Sequence, residues 1–225
     1  MNVLAIEAST EACSVAVYRA GQIWEEHVLA PREHTQRLLA MVERLLQAAT
    51  LELAQLDGIA FGRGPGAFTG VRVAASVTQG LAFGADLPVV PVSSLAALAH
   101  GAPEVDGAPG VLAAMDARMG EIYWAGFQRR GEDLVPLFQE QVGAPEALPL
   151  PREGAWVGVG SGWRVYGQAL LPRCGPWLRA VEAAALPRAS DVAKLALPML
   201  VRGEVCAPEM ALPIYLRDDV VQSPR

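Results

Sequence analysis

Apolar residues fall in two kinds of run along this chain, short continuous stretches and longer periodic ones, and together they predict most of its elements. Residues 3–8 are apolar except for Glu7, too short for a helix, and read as a buried strand. Ser9-Thr10-Glu11 turns the chain into a second strand over 13–18, and Gly21-Gln22 turns it into a third over 23–29. The chain therefore opens as an antiparallel meander, closed by Pro31. Over 33–49 the period changes. Leu38, Val42, Leu45 and Ala49 share one stripe, and Leu39, Met41 and Leu46 widen it, so the spacing predicts a helix whose apolar face packs on two sides. Thr50 is placed to cap a short turn of helix ending near Asp57-Gly58. Residues 59–61 then form a short buried strand that runs into a glycine loop over 62–70.

A second helix is expected over 71–83, with Thr69 as its cap. It is rich in small residues, among them Gly70, Ala74, Ala75, Ser76, Gly80, Ala82 and Gly84. Glycine inside a helix costs about 1 kcal/mol relative to alanine, so its presence calls for a close contact. Asp86-Leu87-Pro88 ends the helix, 89–92 is another strand, and Ser93 or Ser94 caps a short helix through His100. Residues 101–110 shift to Gly, Ala and Pro and read as a linker. Strands resume over 111–116 and 121–128, around a turn at Arg118-Met119-Gly120, with a third piece over 137–142 before a Pro-rich stretch. A short strand from Trp156 enters a second glycine turn, and Ser190 caps a helix that runs to Val201 with Gly203 beyond its end. The second half thus repeats the outline of the first. The expected architecture is two α/β domains, 1–102 and 103–225, joined by a hinge, the last helix being able to pack back on the first domain.

Composition narrows the class. The chain has 225 residues, 52% hydrophobic and 19% charged, which excludes a disordered protein and provides for one large core or two small ones. No apolar run approaches the roughly 20 residues of a membrane span. The start lacks a basic region and meets Glu7 at once, so it does not read as a signal peptide. Cys13, Cys174 and Cys206 are widely spaced and odd in number, which fits reduced thiols and a cytoplasmic location better than a disulfide framework or a zinc site. The net charge of −6, with Lys194 the sole lysine, leaves no basic patch for nucleic acid in any one stretch.

Candidate chemistry sits at three turns. The loop Gly62-Arg63-Gly64-Pro65-Gly66-Ala67-Phe68-Thr69-Gly70 joins a strand to a helix, where backbone N–H groups and the helix dipole favour an anion. A Walker loop needs lysine after its last glycine, and here Val71-Arg72 follows. The alternative is a tight turn that lets a helix approach a strand. At the end of the first strand, Glu7-Ala8-Ser9-Thr10 sets an acid beside hydroxyls, a way to hold a hydrated cation and its phosphates, or simply a hairpin turn. Asp116 and Arg118 either reach a ligand between domains or pair with each other on the surface. Candidate phosphate contacts are therefore Ser9, Thr10, Gly64, Gly66, Thr69 and Arg118. No local signature of a zinc hydrolase, a serine nucleophile or a cysteine–histidine pair occurs, and His34 has no second ligand within a helical turn.

The runs Glu7-Ala8-Ser9-Thr10, Cys13-Ser14-Val15-Ala16, Gly64 through Arg72, Gln79-Gly80-Leu81-Ala82, Asp116-Ala117-Arg118 and Pro213-Ile214-Tyr215-Leu216-Arg217 together resemble the TsaB (YeaZ) family of bacterial tRNA threonylcarbamoyladenosine biosynthesis proteins. The resemblance covers essentially the whole chain. It implies an actin-like ATPase (ASKHA) fold of two ribonuclease H-like domains. It also implies a non-catalytic partner of the transferase TsaD, acting with the ATPase TsaE, in which ATP or ADP enters with the assembled complex and tRNA is reached through it. Glu7 stands where the family more often has aspartate, and Ala67 where it has serine; both changes weaken the case for nucleotide or metal binding by this chain alone. Two helices with broad or small-residue faces are then the expected contact with TsaD, or with a second copy when TsaD is absent. Their expected interface residues are Leu38, Met41, Val42, Leu45, Gly70, Val73, Ala74, Val77, Gly80 and Leu81. The rival reading is an autonomous ASKHA-type ATPase or small-molecule kinase using the Ser9-Thr10 turn and the glycine loop. A metallopeptidase is disfavoured by the lack of paired histidines.

Overall fold

A computed structural model of the chain describes residues 1–131, 133–147 and 154–217. The first half contributes β1 (Asn2–Glu7), β2 (Ala12–Arg19), β3 (Gln22–Leu29), α1 (His34–Ala48), β4 (Gly58–Gly62), α2 (Phe68–Ala85), β5 (Val89–Val92) and α3 (Ser94–His100). The second contributes β6 (Gly110–Arg118), β7 (Glu121–Arg130), β8 (Asp133–Pro136), β9 (Gln141–Gly143), β10 (Trp156–Val159), α4 (Ser161–Cys174), β11 (Leu178–Glu182) and α5 (Ala189–Val201). Two sheets result, ordered β3-β2-β1-β4-β5 and β11-β10-β6-β7-β8, with β9 also pairing β7. Each has an antiparallel meander on one side and parallel strands on the other, the arrangement of two ribonuclease H-like units in an actin-like fold.

The central strand β1 pairs antiparallel with β2 and parallel with β4, so both its edges and both its faces are covered. That is why its residues run apolar without alternation. Leu4 and Ile6 join Val15, Val17, Leu38, Met41 and Phe61 under α1 and α2. Val3 and Ala5 face the opposite way, onto Ala189, Val192, Ala193 and Ala196 of α5. The last helix therefore packs on the first sheet. The small alanine side chains on both surfaces let helix and strands approach closely. Conversely, α3 leaves the first half and lends Leu95, Leu98 and Ala99 to a core with Val111, Ala113, Ala125 and Val157 of the second sheet. The second sheet's other face is covered by Trp163, Leu170 and Cys174 of α4. The two halves thus exchange helices across the middle of the molecule.

Helix starts are decided by tertiary partners more often than by local caps. Ser93 caps α3 as its position predicts, accepting from the Ala96 N–H at 3.0 Å. Thr69 does not cap α2: the helix begins one residue earlier, at Phe68, with Ala67 in the cap position and no side-chain bond. Ser190 does not cap α5 either. Its N–H donates to Glu25 Oε1 at 2.9 Å, and the Ala189 N–H donates to Ser14 Oγ at 3.0 Å, so strands β2 and β3 satisfy the helix end. Thr50 sits at positive φ behind α1, and the following short turn is capped by Glu52 and Gln55 reciprocally. Gly203, with φ of 71°, closes α5 as predicted, its N–H reaching Leu200 and that of Glu204 reaching Met199. The piece expected over 137–142 is strand only at its end, in β9, and β8 precedes it; α4 and β11 escape the sequence reading. Within α4, Pro172 and a break at Tyr166 interrupt the helical period. Part of the Pro-rich stretch, 148–153, lies outside the described residues.

The helix exchange has a measurable consequence. Leu98→Ala, in a first-half helix, should remove about 2–5 kcal/mol of unfolding free energy. Urea unfolding followed by tryptophan fluorescence, which reports mainly on the second half, should show a lower midpoint in one transition. A shift confined to a probe in the first sheet would contradict the placement of α3.

Candidate functional site

At the carboxyl end of β1 the chain brings together the acid and the glycine loop that the sequence singles out. Glu7 is 1% exposed. Its carboxylate accepts the Ser9 N–H at 2.6 Å and the Ser94 hydroxyl at 2.8 Å. It also lies against Gly62, where a Cβ would collide with it. Burial pushes this carboxyl above its ordinary range, and the hydrogen bonds from Ser9 and Ser94 offset that only in part. Glu7 therefore fastens the end of β1 to the end of β4 and the start of α3.

The glycine loop is packed against that strand end. Ala67 N–H donates to the Ser9 carbonyl at 2.7 Å, Ser94 N–H to the Gly64 carbonyl at 2.9 Å, and Arg63 N–H to the Val92 carbonyl at 2.8 Å. A Cβ on Gly66 would strike the backbone of Ser9, and one on Gly70 the carbonyl of Ala8. The glycines let the first turn of α2 rest on the turn between β1 and β2. The acid is enclosed, and the glycine loop lies against the turn that follows β1.

The other candidate phosphate contacts close local turns, pack on neighbouring backbone or face solvent. The Ser9 hydroxyl is buried without a hydrogen-bond partner among the described residues, and Thr10 Oγ1 accepts from the Ala12 N–H at 3.2 Å, closing its own turn. Gly64 has φ of 96°, a conformation suited to glycine, and packs on the Ile214 carbonyl. Thr69 is exposed on the first turn of α2. Arg118 is 85% exposed and pairs with Asp116 at 3.0 Å on its own hairpin. Asp116 also receives the Tyr166 hydroxyl at 3.2 Å.

The expected interface residues need a correction. Leu38, Met41, Val42 and Leu45 are buried in the first-sheet core, as are Gly70 and Ala74. Their stripe is the inward face of the helices and offers no side chain to a partner. A single sheet face was enough to absorb the whole stripe. The outward side of α1 and α2 carries Leu39 (55% exposed), Phe68 (48%) and Phe83 (78%), with Val73, Val77 and Leu81 half-buried and Gly80 exposed. A groove on this side is lined by Thr35, Phe68, Thr69, Arg72, Val73, Ser76 and Val77.

Several residues that organise the site have no local signature. Ser94 completes the Glu7 contact from 87 positions away. Arg63 forms a two-pronged pair with Glu140, at 3.1 and 3.2 Å. Arg72 lies over the Phe68 ring at 3.4 Å and donates to the Tyr215 hydroxyl at 2.7 Å.

Comparison with known proteins gives a consistent result. The sequence profile of the family described as TsaD: tRNA N6-adenosine threonylcarbamoyltransferase matches residues 27–157. The chain is 43% identical over 226 residues to the tRNA threonylcarbamoyladenosine biosynthesis protein TsaB of Escherichia coli, covering 98% of this chain and 96% of that protein. It is 42% identical to the protein of the same description from Haemophilus influenzae, over 98% and 95% of the two chains. Among solved structures, it matches YeaZ from Pseudomonas aeruginosa with a TM-score of 0.89 and 45% identity, over 96% of this chain and 99% of that one.

The buried acid supplies a test by pH. Because burial raises the folded-state pKa of Glu7, its protonated form favours the fold; that contribution is complete below the ordinary carboxylate range and is lost as pH rises through the raised value. Glu7→Gln retains an acceptor for Ser9 and a partner for Ser94. The variant should be no less stable than the parent at about pH 8, and its stability should depend less on pH above about pH 4.5. Thermal unfolding across that range measures both. A variant markedly less stable at the alkaline end would mean that the charged carboxylate is needed.

Proposed function

The chain belongs to the TsaB family of tRNA threonylcarbamoyladenosine biosynthesis proteins, and from that premise we propose that it is a non-catalytic subunit that organises the transferase TsaD. TsaD transfers the threonylcarbamoyl group to the N6 amine of the adenosine next to the tRNA anticodon, and the ATPase TsaE completes the set. The observation that carries this reading is the closed contact between the β1 turn and the glycine loop. The β1 turn and the glycine loop pack backbone against backbone, and Glu7 is enclosed beneath them. The rival reading, an autonomous ATPase or kinase, requires those loops to part.

The partner role draws support from the outward side of α2. Phe68 and Phe83 are large, apolar and exposed on one helix, beside the open backbone of Gly80. Burying such a side chain is worth about 1.5–3 kcal/mol, and aromatic residues of this kind anchor interfaces. TsaD docks on this side, a second copy of the chain takes the same place when TsaD is absent, and ATP or ADP enters with the assembled complex. The net charge of −6 favours tRNA contact through the complex, in the cytoplasm, over contact by this chain alone. Among the described residues no helix is long and apolar enough to cross a membrane.

Reconstituted tRNA modification should require this chain together with TsaD, and the chain alone should neither modify tRNA nor turn over ATP. Gly80→Arg and Phe83→Glu should leave the monomer folded, since a Cβ at Gly80 meets nothing within 4 Å and Phe83 is exposed. Each should weaken co-purification with TsaD by about tenfold or more, a change of about 1.4 kcal/mol. Ala74→Leu, by contrast, should destabilise the fold itself. Undiminished co-purification with both surface variants would place the interface elsewhere.

A further inference from the structure

After α5 the chain does not simply end but returns across both halves of the molecule. Cys206 forms an antiparallel bridge with Val89 at the edge of the first sheet. Ala211 is buried, and its carbonyl accepts from Gln79 of α2 at 3.3 Å. Ile214 N–H donates to the Arg63 carbonyl at 2.8 Å, over the glycine loop. Tyr215 then closes on the first turn of α2, its ring centroid 5.8 Å from that of Phe68, with the Arg72 guanidinium over both rings. Two residues later Arg217 reaches the second half. It donates to the carbonyls of Ala117 and Arg118, at 3.3 and 3.5 Å, and pairs with Glu121 of β7. Arg63, held by the strap at its carbonyl, crosses to Glu140 with its side chain.

We infer that this strap, residues 206–217, is a clasp that couples occupation of the outward face of α2 to the angle between the two sheets. Phe68 is at once an exposed residue of that face and one wall of the Arg72–Tyr215 stack. A partner that covers Phe68 and Tyr215 excludes water from the guanidinium, and a cation over aromatic rings binds more strongly when desolvated. The stack then holds Tyr215 still, and Arg217 with it, keeping the second-half hairpin drawn toward the glycine loop. Linkage makes the effect reciprocal: releasing Arg217 must weaken the partner's hold by the same factor. This coupling rests on the docking of TsaD proposed above; the clasp itself does not.

Spin labels at Gln47→Cys on α1 and Gln168→Cys on α4, both exposed, report the distance between the halves in a Cys206→Ser background, where Cys13 and Cys174 are buried. In the free chain, Arg72→Ala and Arg217→Ala should each broaden the distance distribution. The double variant should be no broader than the wider single one, because both act on one path. Tyr215→Phe, which keeps the ring and loses the hydroxyl, should broaden it less than Arg72→Ala. Unchanged widths in the single variants, or fully additive broadening, would overturn the clasp. Adding TsaD should narrow the distribution of the parent, and Arg217→Ala should bind TsaD about fivefold more weakly or worse. Broadening without loss of affinity would overturn the coupling and spare the clasp, whereas a parent that does not bind TsaD would defeat the docking reading itself.

Discussion

The contact between the first turn of α2 and the end of β1 is the constraint on which the rest of the molecule depends. It is made of backbone on both sides, Gly66 against Ser9 and Gly70 against Ala8, so no side chain can be substituted into it. Beneath it, Glu7 bonds to Ser9 and Ser94 and joins the ends of β1, β4 and the start of α3. A second contact of the same form occurs in the other half, where Gly160 and Gly162 at the start of α4 press on Ala114 of β6. The two halves thus solve one packing problem in the same way, by removing a Cβ where a helix start meets the central strand.

That contact seats the helix which the glycine loop launches. A seated helix can present exposed aromatic residues without losing its place. Burial energy is available at Phe68 and Phe83 because the inward stripe, Leu38 to Leu45 on α1 and Ala74 on α2, is already satisfied by the sheet. The closed contact at the loop and the exposed aromatic residues on the outward side therefore share one helix, α2.

Between the halves, stability is spread over exchanged helices and crossing charges. Helices α3 and α5 each cover the other half's sheet, and Arg188–Glu25 fastens the start of α5 to β3 at 2.6 Å. Burial alone would push the Glu25 carboxyl up, but hydrogen bonds from Arg188 and Ser190 hold it below its ordinary range. Arg63–Glu140 and Arg217–Glu121 cross between the halves, both partly shielded from water. Exposed pairs contribute little, but partly buried two-pronged ones fix geometry.

Much of this was legible in the sequence. Strands β1, β2 and β3, the helical stripe of α1, the glycine loop, and the Gly203 stop follow from local periodicity and backbone preference, which act over a few residues. The family could be read from short motifs, and with it the fold. What the amino-acid order alone left open was direction. The stripe from Leu38 to Leu45 is equally suited to a sheet or to a partner until the sheet is present to take it. The cap positions of α2 and α5 differ from the expected ones because α2 starts at Phe68 without a side-chain cap, whereas strands β2 and β3 take the first N–H groups of α5, and no nearby residue encodes either. The glycine loop was open to two readings, a cradle for an anion or a seat for a helix. Only the tertiary structure shows the seat, because the group that lies against the loop's glycines, the backbone of Ala8 and Ser9, comes from the end of β1 and the turn after it, more than fifty residues earlier in the chain.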